Sequence, residues 1–336
     1  MVFGIHSDSR RAYTDGMAAS PNPMPDPATD KLPRRRLWIP LSLRMFVGML
    51  ALLFFGSVLW VWLPYNWEQQ VIAEIQHRGG RIHCPPGRGP DWLRQLLGNE
   101  RMDGLKVFDR VSVVDLNIVE TCDDDFLAQI RYLRDLGTLD LMETRVTGVG
   151  LRHLTGLRNL STLNLGATEV NDAGLVHVSR LTKLQDLELG NTQISDAGLV
   201  HLRNLTTLGH LGLDDTLVSD AGLAHLSKLT GLYSLMLHNT QITDSGLIYL
   251  GGLTDLNTLC LNGTQITNAG LAHLRTLSNL YYLDLTGTRV DDSALEQLEQ
   301  LPSLEVLDLS GTQVSDQGLK TMRASLPKCT ILTNMQ

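Results

Sequence analysis

The chain of 336 residues has few cysteines, few aromatic side chains and, after its first 44 residues, little basic charge. Its four cysteines, Cys84, Cys122, Cys260 and Cys329, are widely separated. No CxxC pair or alternation of Cys with His is present, which argues against a structural zinc site. A disulfide between Cys84 and Cys122 is open to a chain outside the cytoplasm, and unpaired thiols are an equal alternative. Aromatics make up 5% of the residues, too few for a platform on which bases stack. The formal charge is −8; seven basic residues face four acidic ones before Met45, and the remainder carries 21 basic and 32 acidic residues, or −11. Phosphate backbones need basic surface, so nucleic acid is not an expected partner. There is no phosphate-cradling loop and no dinucleotide fingerprint, because Gly148 and Gly150 belong to a repeated turn. No cofactor is expected.

What the chain does have is a period. Thr144, Thr168, Thr192, Thr216, Thr240, Thr264, Thr288 and Thr312 recur every 24 residues without a slip. A constant spacing of this size indicates a solenoid, whose units bury their apolar faces against one another. The unit at 181–204, LTKLQDLELGNTQISDAGLVHLRN, shows the logic. Leu187 and Leu189 alternate with Asp186, Glu188 and Gly190, the period of a strand with one buried face. A tight turn at 191–193 follows, and Ile194 points inward again. Ser195-Asp196 reads as a helix start, with a hydroxyl to cap free N–H groups and a carboxylate in the positive first turn. Gly198 leaves room between turns, and Leu199, Leu202 and Leu205 form one stripe of a short helix or 3₁₀ segment.

The pattern LxxLxLxxTx(I/V)(S/T)DxGLxHL resembles the leucine-rich repeat family, and its ITDxGL half resembles the cysteine-containing subtype of F-box-associated proteins. Thr stands here where that subtype has Asn or Cys, and its hydroxyl is expected to bond the backbone of the next turn. The resemblance implies an α/β solenoid: a leucine-rich-repeat horseshoe with an inner parallel β-sheet and outer short helices. It implies less about function.

One transmembrane helix is expected ahead of the solenoid. Lys31, Arg34, Arg35, Arg36 and Arg44 precede 45–63, MFVGMLALLFFGSVLWVWL, which carries no charge and is about as long as a bilayer crossing requires. Trp60, Trp62, Tyr65 and Trp67 gather at its far end, as at a membrane interface. A cleaved signal peptide is the rival, but 63–66, LPYN, lacks a small-residue cleavage site. The expected organisation is a disordered, basic-ended cytoplasmic tail (1–44), a transmembrane signal anchor (45–63), a juxtamembrane linker with two short helices (64–110) and a solenoid of about nine turns with a C-terminal cap (111–336). The pieces SLRMFVGMLALL, AEIQHRGGRI and GPDWLRQLLG resemble membrane-anchored leucine-rich-repeat proteins of planctomycete-type bacteria. The implied location is the inner cell membrane, crossed once, with the repeats extracytoplasmic.

Function is expected on the inner face, where period-two alternation points side chains away from the core. The candidate residues are Asp140, Asn164, Asp186, Glu188, His210, Asp214, Met236, His238, Asn262, Tyr282, Asp284 and Asp308. Turns about 4.8 Å apart give this face a length on the order of 40 Å, enough for a protein or polysaccharide ligand. The GLxHL histidines His153, His177, His201, His225 and His273 form a row, but Tyr249, Gln297 and Thr321 interrupt it and no carboxylate accompanies it at fixed spacing, so no metal is assigned. His210, Asp214, His238 and Cys260 bring a thiol near an imidazole, yet nothing supplies an oxyanion hole, so no catalytic residue is assigned. The expected function is a membrane-anchored, non-catalytic scaffold. The alternatives are an F-box-type substrate receptor of a ubiquitin ligase, for which the linker is too short and too rich in Gly and Pro, and a concave-face hydrolase.

Overall fold

The computed structural model describes residues 41–85, 95–98, 101, 110–117 and 119–333, without the side chains at 41, 57, 58, 60 and 61. Residues 1–40 of the expected tail and much of the expected linker between 86 and 109 lie outside the described residues, while 95–97 are helical.

The chain forms two compact units, Met1–Leu53 and Phe54–Gln336. In the first, the described residues belong to helix α1 (Leu41–His77). Its apolar side chains stand exposed, Met45 by 70% and Leu52 by 75%. The sequence suggests one helix up to 63 and a second after Trp67; the structure has one continuous helix, with Pro64 inside it. Among the described residues, no helix is long and apolar enough to cross a membrane. The transmembrane helix expected at 45–63 is therefore not borne out.

The second unit is built on one sheet of eleven three-residue strands in chain order: β1 (Arg81–His83), β2 (Val113–Asp115), β3 (Thr138–Asp140), β4 (Thr162–Asn164), β5 (Asp186–Glu188), β6 (His210–Gly212), β7 (Ser234–Met236), β8 (Thr258–Cys260), β9 (Tyr282–Asp284), β10 (Val306–Asp308) and β11 (Thr330–Leu332). From β2 to β11 all pairs are parallel and in register, Leu187 opposite Leu211 and Leu211 opposite Leu235. Each coil sends its chain back through a short helix or 3₁₀ turn such as Asp196–Leu199. The leucines between sheet and helices, Leu184, Leu187, Leu189, Ile194, Leu199, Leu202 and Leu205 in one coil, are at most 1% exposed. Burying each contributes about 1.5–3 kcal/mol, which only a neighbouring coil makes possible.

The residues expected as a linker after Pro64 close the open end of this stack. Val71 and Ile75 of α1 are buried in the common core. Buried Glu68 accepts from the Val111 N–H at 2.8 Å and pairs with Arg110 at 3.6 Å. Arg78 lies 4.4 Å over the Phe126 ring, and β1 runs antiparallel to β2, so its outer edge differs from every other strand. No disulfide joins Cys84 to Cys122, and Cys122 is buried as a thiol.

Two side-chain devices recur along the stack, one within each turn and one between coils. Each threonine of the 24-residue period, half-buried at Thr312 and buried at the other seven, donates its hydroxyl to the carbonyl three residues before it, Thr144 to Leu141 and Thr216 to Leu213 at 2.6 Å, with Thr168, Thr192, Thr240, Thr264, Thr288 and Thr312 doing the same. The hydroxyl thus closes its own turn and does not reach the next one, a correction to the expected ladder. The bond between coils is made by the aspartate at the helix start. Asp172 Oδ1 accepts from the Ser195 N–H at 2.8 Å and Asp172 Oδ2 from the Ser195 hydroxyl at 2.6 Å. The same pair of bonds joins Asp124 to Thr147, Asp196 to Ser219, Asp220 to Thr243, Asp244 to Thr267 and Asp292 to Ser315. Gly198 is glycine because a Cβ there would overlap Asp172 Oδ1 and press on Leu175. Where Ala294 stands in place of the glycine, Asn268 replaces the aspartate: its Oδ1 still accepts from the Asp291 N–H at 3.1 Å, and its amide donates to the Asp291 carboxylate and the Ser293 hydroxyl.

An acidic strand face

The residues flanking each strand leucine are half-buried, as alternation predicts: Asp140, Asn164, Asp186, Glu188, His210, Asp214, Met236, His238, Asn262, Tyr282, Asp284 and Asp308 all lie on the open side of the sheet or at the strand exits. They do not all have the same work. Asp140 Oδ1 accepts from Met142 N–H at 3.0 Å, Asn164 Oδ1 from Gly166 N–H at 3.0 Å, Asp284 Oδ1 from Thr286 N–H at 2.8 Å and Asp308 Oδ1 from Ser310 N–H at 2.9 Å. These side chains bend the chain out of the strand, so part of their identity is set by the fold.

From β2 to β10 the position departs from Asp or Asn in four consecutive strands, where it is Glu188, Gly212, Met236 and Cys260. That stretch holds the charged centre of the face. Gly212 has no side chain, and Glu188 lies across the vacancy to make a short contact with His210 Nε2. The bond to Glu188 pushes the His210 pKa up, against the opposing effect of burial. Gly190 likewise makes room for the Asp214 carboxylate. His238 Nε2 stands 3.4 Å from Asp214 and 3.5 Å from Asp215. Burial pushes the Asp214 carboxyl up, with His238 pulling the other way. Tyr233, not among the sequence candidates, reaches across two coils to donate to Asp186 at 3.2 Å, its ring lying over Gly209. Glycines one coil before a large polar side chain were the signal for Asp214 and Tyr233, and a glycine one coil after it was the signal for Glu188.

The cysteine on this face is not poised for nucleophilic attack. Its thiol is pushed up to about 12 by burial, then by Asp284 and Asp214, so the thiolate is scarce at neutral pH. Asp214, Asp215 and His238 are the one group of three ligand-bearing residues close enough, within 4.8 Å, to hold a cation among the described residues. The contacts of His238 with both carboxylates account for the arrangement without one. The GLxHL histidines take part in no such group among the described residues.

From β2 to β10 the open side carries Asp115, Asp140, Asp186, Glu188, Asp214, Asp284 and Asp308 and no Lys or Arg. The only guanidinium paired to it is at the antiparallel edge among the described residues, Arg81 to Asp115 at 4.0 Å. The face is an open acidic strip rather than an enclosed pocket.

Comparison with known proteins fits this architecture. A family model described as a leucine-rich repeat region matches residues 102–334. No curated protein matches the chain. Among solved structures, internalin C2 from Listeria monocytogenes is 26% identical, with 62% of this chain and 84% of that one covered and a TM-score of 0.49. A leucine-rich repeat protein of Leptospira interrogans is 20% identical, with 60% and 56% covered and a TM-score of 0.46. With over two thirds of its length inside the matched region and every parallel coil of the sheet among those residues, the chain belongs to the leucine-rich repeat family.

Proposed function

We propose that this protein is a non-catalytic scaffold whose strand face binds a protein partner through a basic surface, and that residues 45–63 tether it to the inner cell membrane with the coils outside the cytoplasm. The observation that carries the binding reading is the strip of seven carboxylates with no Lys or Arg among them. A face of one sign steers and orients a partner of the other sign. A polysaccharide ligand is less well served, because sugars stack on aromatic rings and Tyr282 is the one aromatic in the strands themselves. A hydrolase reading is disfavoured by the raised Cys260 thiol, and nothing in the fold favours a ubiquitin-ligase receptor. Support for the tether comes from the charge-free run at 45–63, the basic cluster before it and the exposure of Leu52, Leu53, Phe54 and Phe55.

The binding test is a pull-down with the full chain from the source cell's membrane extract, comparing wild type with an Asp186→Asn, Glu188→Gln, Asp284→Asn variant. A partner released by moderate salt and lost from the variant supports the face; a partner held equally by both rules it out. Protease accessibility of the C-terminus in spheroplasts, with the outer envelope opened and the inner membrane intact, tests the orientation, and a protected C-terminus overturns it.

A further inference from the structure

The helix side of the first coils carries the opposite charge. Arg131, Arg134, Arg152 and Arg158 line a cleft of about 680 Å³ together with Tyr132 and His153, and no carboxylate lines it. Among the described residues these four guanidinium groups make no ion pair: Arg131 donates to the Tyr132 hydroxyl at 2.6 Å and lies 4.7 Å over its ring, and Arg152 donates to His153. The repeat does not require them. Arg134 and Arg158 occupy one position of the 24-residue unit, and the following coils place Thr182, Thr206, Thr230, Thr254 and Ser278 there. Four unneutralised arginines at one end of a chain of net charge −8 are a local departure from both the repeat and the composition. His153 and His177 register the same field: burial first, then Arg152 and Arg131 for one and Arg180 and Arg152 for the other, hold both below the usual imidazole range.

The place of the cleft selects the anion. Tyr132 packs on Trp67 of α1 with ring centroids 5.3 Å apart. One turn and more before Trp67, Trp62 and Leu63 are exposed by 51% and 44%. The arginines thus open beside the point where an exposed apolar helix meets the folded coils, with two aromatic rings between. Guanidinium forks suit phosphate oxygens, and aromatic rings suit the boundary between headgroups and acyl chains. We propose that this cleft docks the phosphates of anionic lipid headgroups at the surface of the membrane in which the apolar helix is held. The proposal rests on the tether reading above for the position of the bilayer.

The test is flotation of the full chain with vesicles of phosphatidylcholine alone and of phosphatidylcholine mixed with phosphatidylglycerol, comparing wild type with Arg134→Gln/Arg158→Gln and with Arg134→Lys/Arg158→Lys. Both arginines are exposed, and circular dichroism checks that the variants keep their fold. Wild type should favour the mixed vesicles. The glutamine pair should lose at least about tenfold of that preference, since each surface cation near anionic lipid contributes roughly a fivefold effect, while the lysine pair keeps most of it. A preference left intact in the glutamine variant overturns the proposal, because it would then arise from the basic cluster at 31–44. Tighter binding to soluble heparin or DNA than to mixed vesicles, lost in the same variant, also overturns it in favour of a polyanion site. Absence of flotation on phosphatidylcholine alone, with arginine-dependent flotation on the mixture, removes the tether and leaves the cleft; absence on both removes both.

Discussion

The bond between Asp172 and Ser195 makes a quantitative statement about Gly198. The carboxylate is fixed by two donors, at 2.8 and 2.6 Å, and a Cβ at Gly198 would run into it. Gly198→Ala alone combines a gain of about 0.5–1 kcal/mol from helix propensity with an overpacking cost of about 1–3 kcal/mol, for a net loss near 1 kcal/mol. Asp172→Ala alone removes two hydrogen bonds to a charged acceptor, each worth about 1.5–3 kcal/mol, with part returned by water at this half-buried site, leaving a loss of about 2–3 kcal/mol. In the double variant the methyl group added at position 198 no longer meets a carboxylate, so the Gly198→Ala change should there be neutral or stabilising by up to about 1 kcal/mol. The coupling is then about 1–2 kcal/mol, read as a midpoint difference in urea unfolding of the full chain followed by circular dichroism. If Gly198→Ala costs the same with and without the Asp172 carboxylate, the glycine answers to something other than the aspartate of the preceding coil.

Four further outcomes are expected. Ala167 sits at φ 53, in the place where later coils use Gly263, Gly287 and Gly311, so Ala167→Gly should stabilise the fold by about 1 kcal/mol, read as a raised midpoint in thermal melting. Thr216→Val removes the buried hydroxyl that closes its turn and should cost about 1–2 kcal/mol in urea unfolding, whereas loss of a solvated hydroxyl would cost almost nothing. Because the folded-state pKa of His210 is raised, its stabilising contribution is full below the unfolded value near 6.5 and fades as pH climbs through the raised value; His210→Gln should flatten the fall in stability across that window, as urea midpoints at successive pH values would show. With its thiol near 12, Cys260 should resist iodoacetamide at neutral pH and react only after unfolding, which mass spectrometry of the alkylated peptides would reveal.

The period and the leucine pattern made the sheet legible before any coordinates, because each strand leucine is fixed by burial and every coil repeats the constraint. One coil out of step was legible too: β2 and β3 are separated by 25 residues where the later neighbours are separated by 24. The reach of Asp196 to Ser219 was not, since a carboxylate at a helix start satisfies the dipole and a partner 23 residues on equally well in one dimension. Only the glycines one coil away separate, in the sequence, Glu188 and Asp214, which lie over them, from Asp140 and Asp308, which hold their own turns. The role of the residues after Pro64 was hidden because a helix that caps a stack and a helix that merely joins two segments carry the same amphipathic pattern.

One seam lacks its clasp. Gly148 occupies the aspartate position of its coil, so Asn171 in the following coil receives no carboxylate from it, and its own side chain caps nothing. Loaded in series by a pull on its two ends, the stack would part at that join first. The cap and the arginine-rich coils would stay with one fragment and the charged centre from β5 to β8 with the other, so strain would be absorbed before it reached that charged centre.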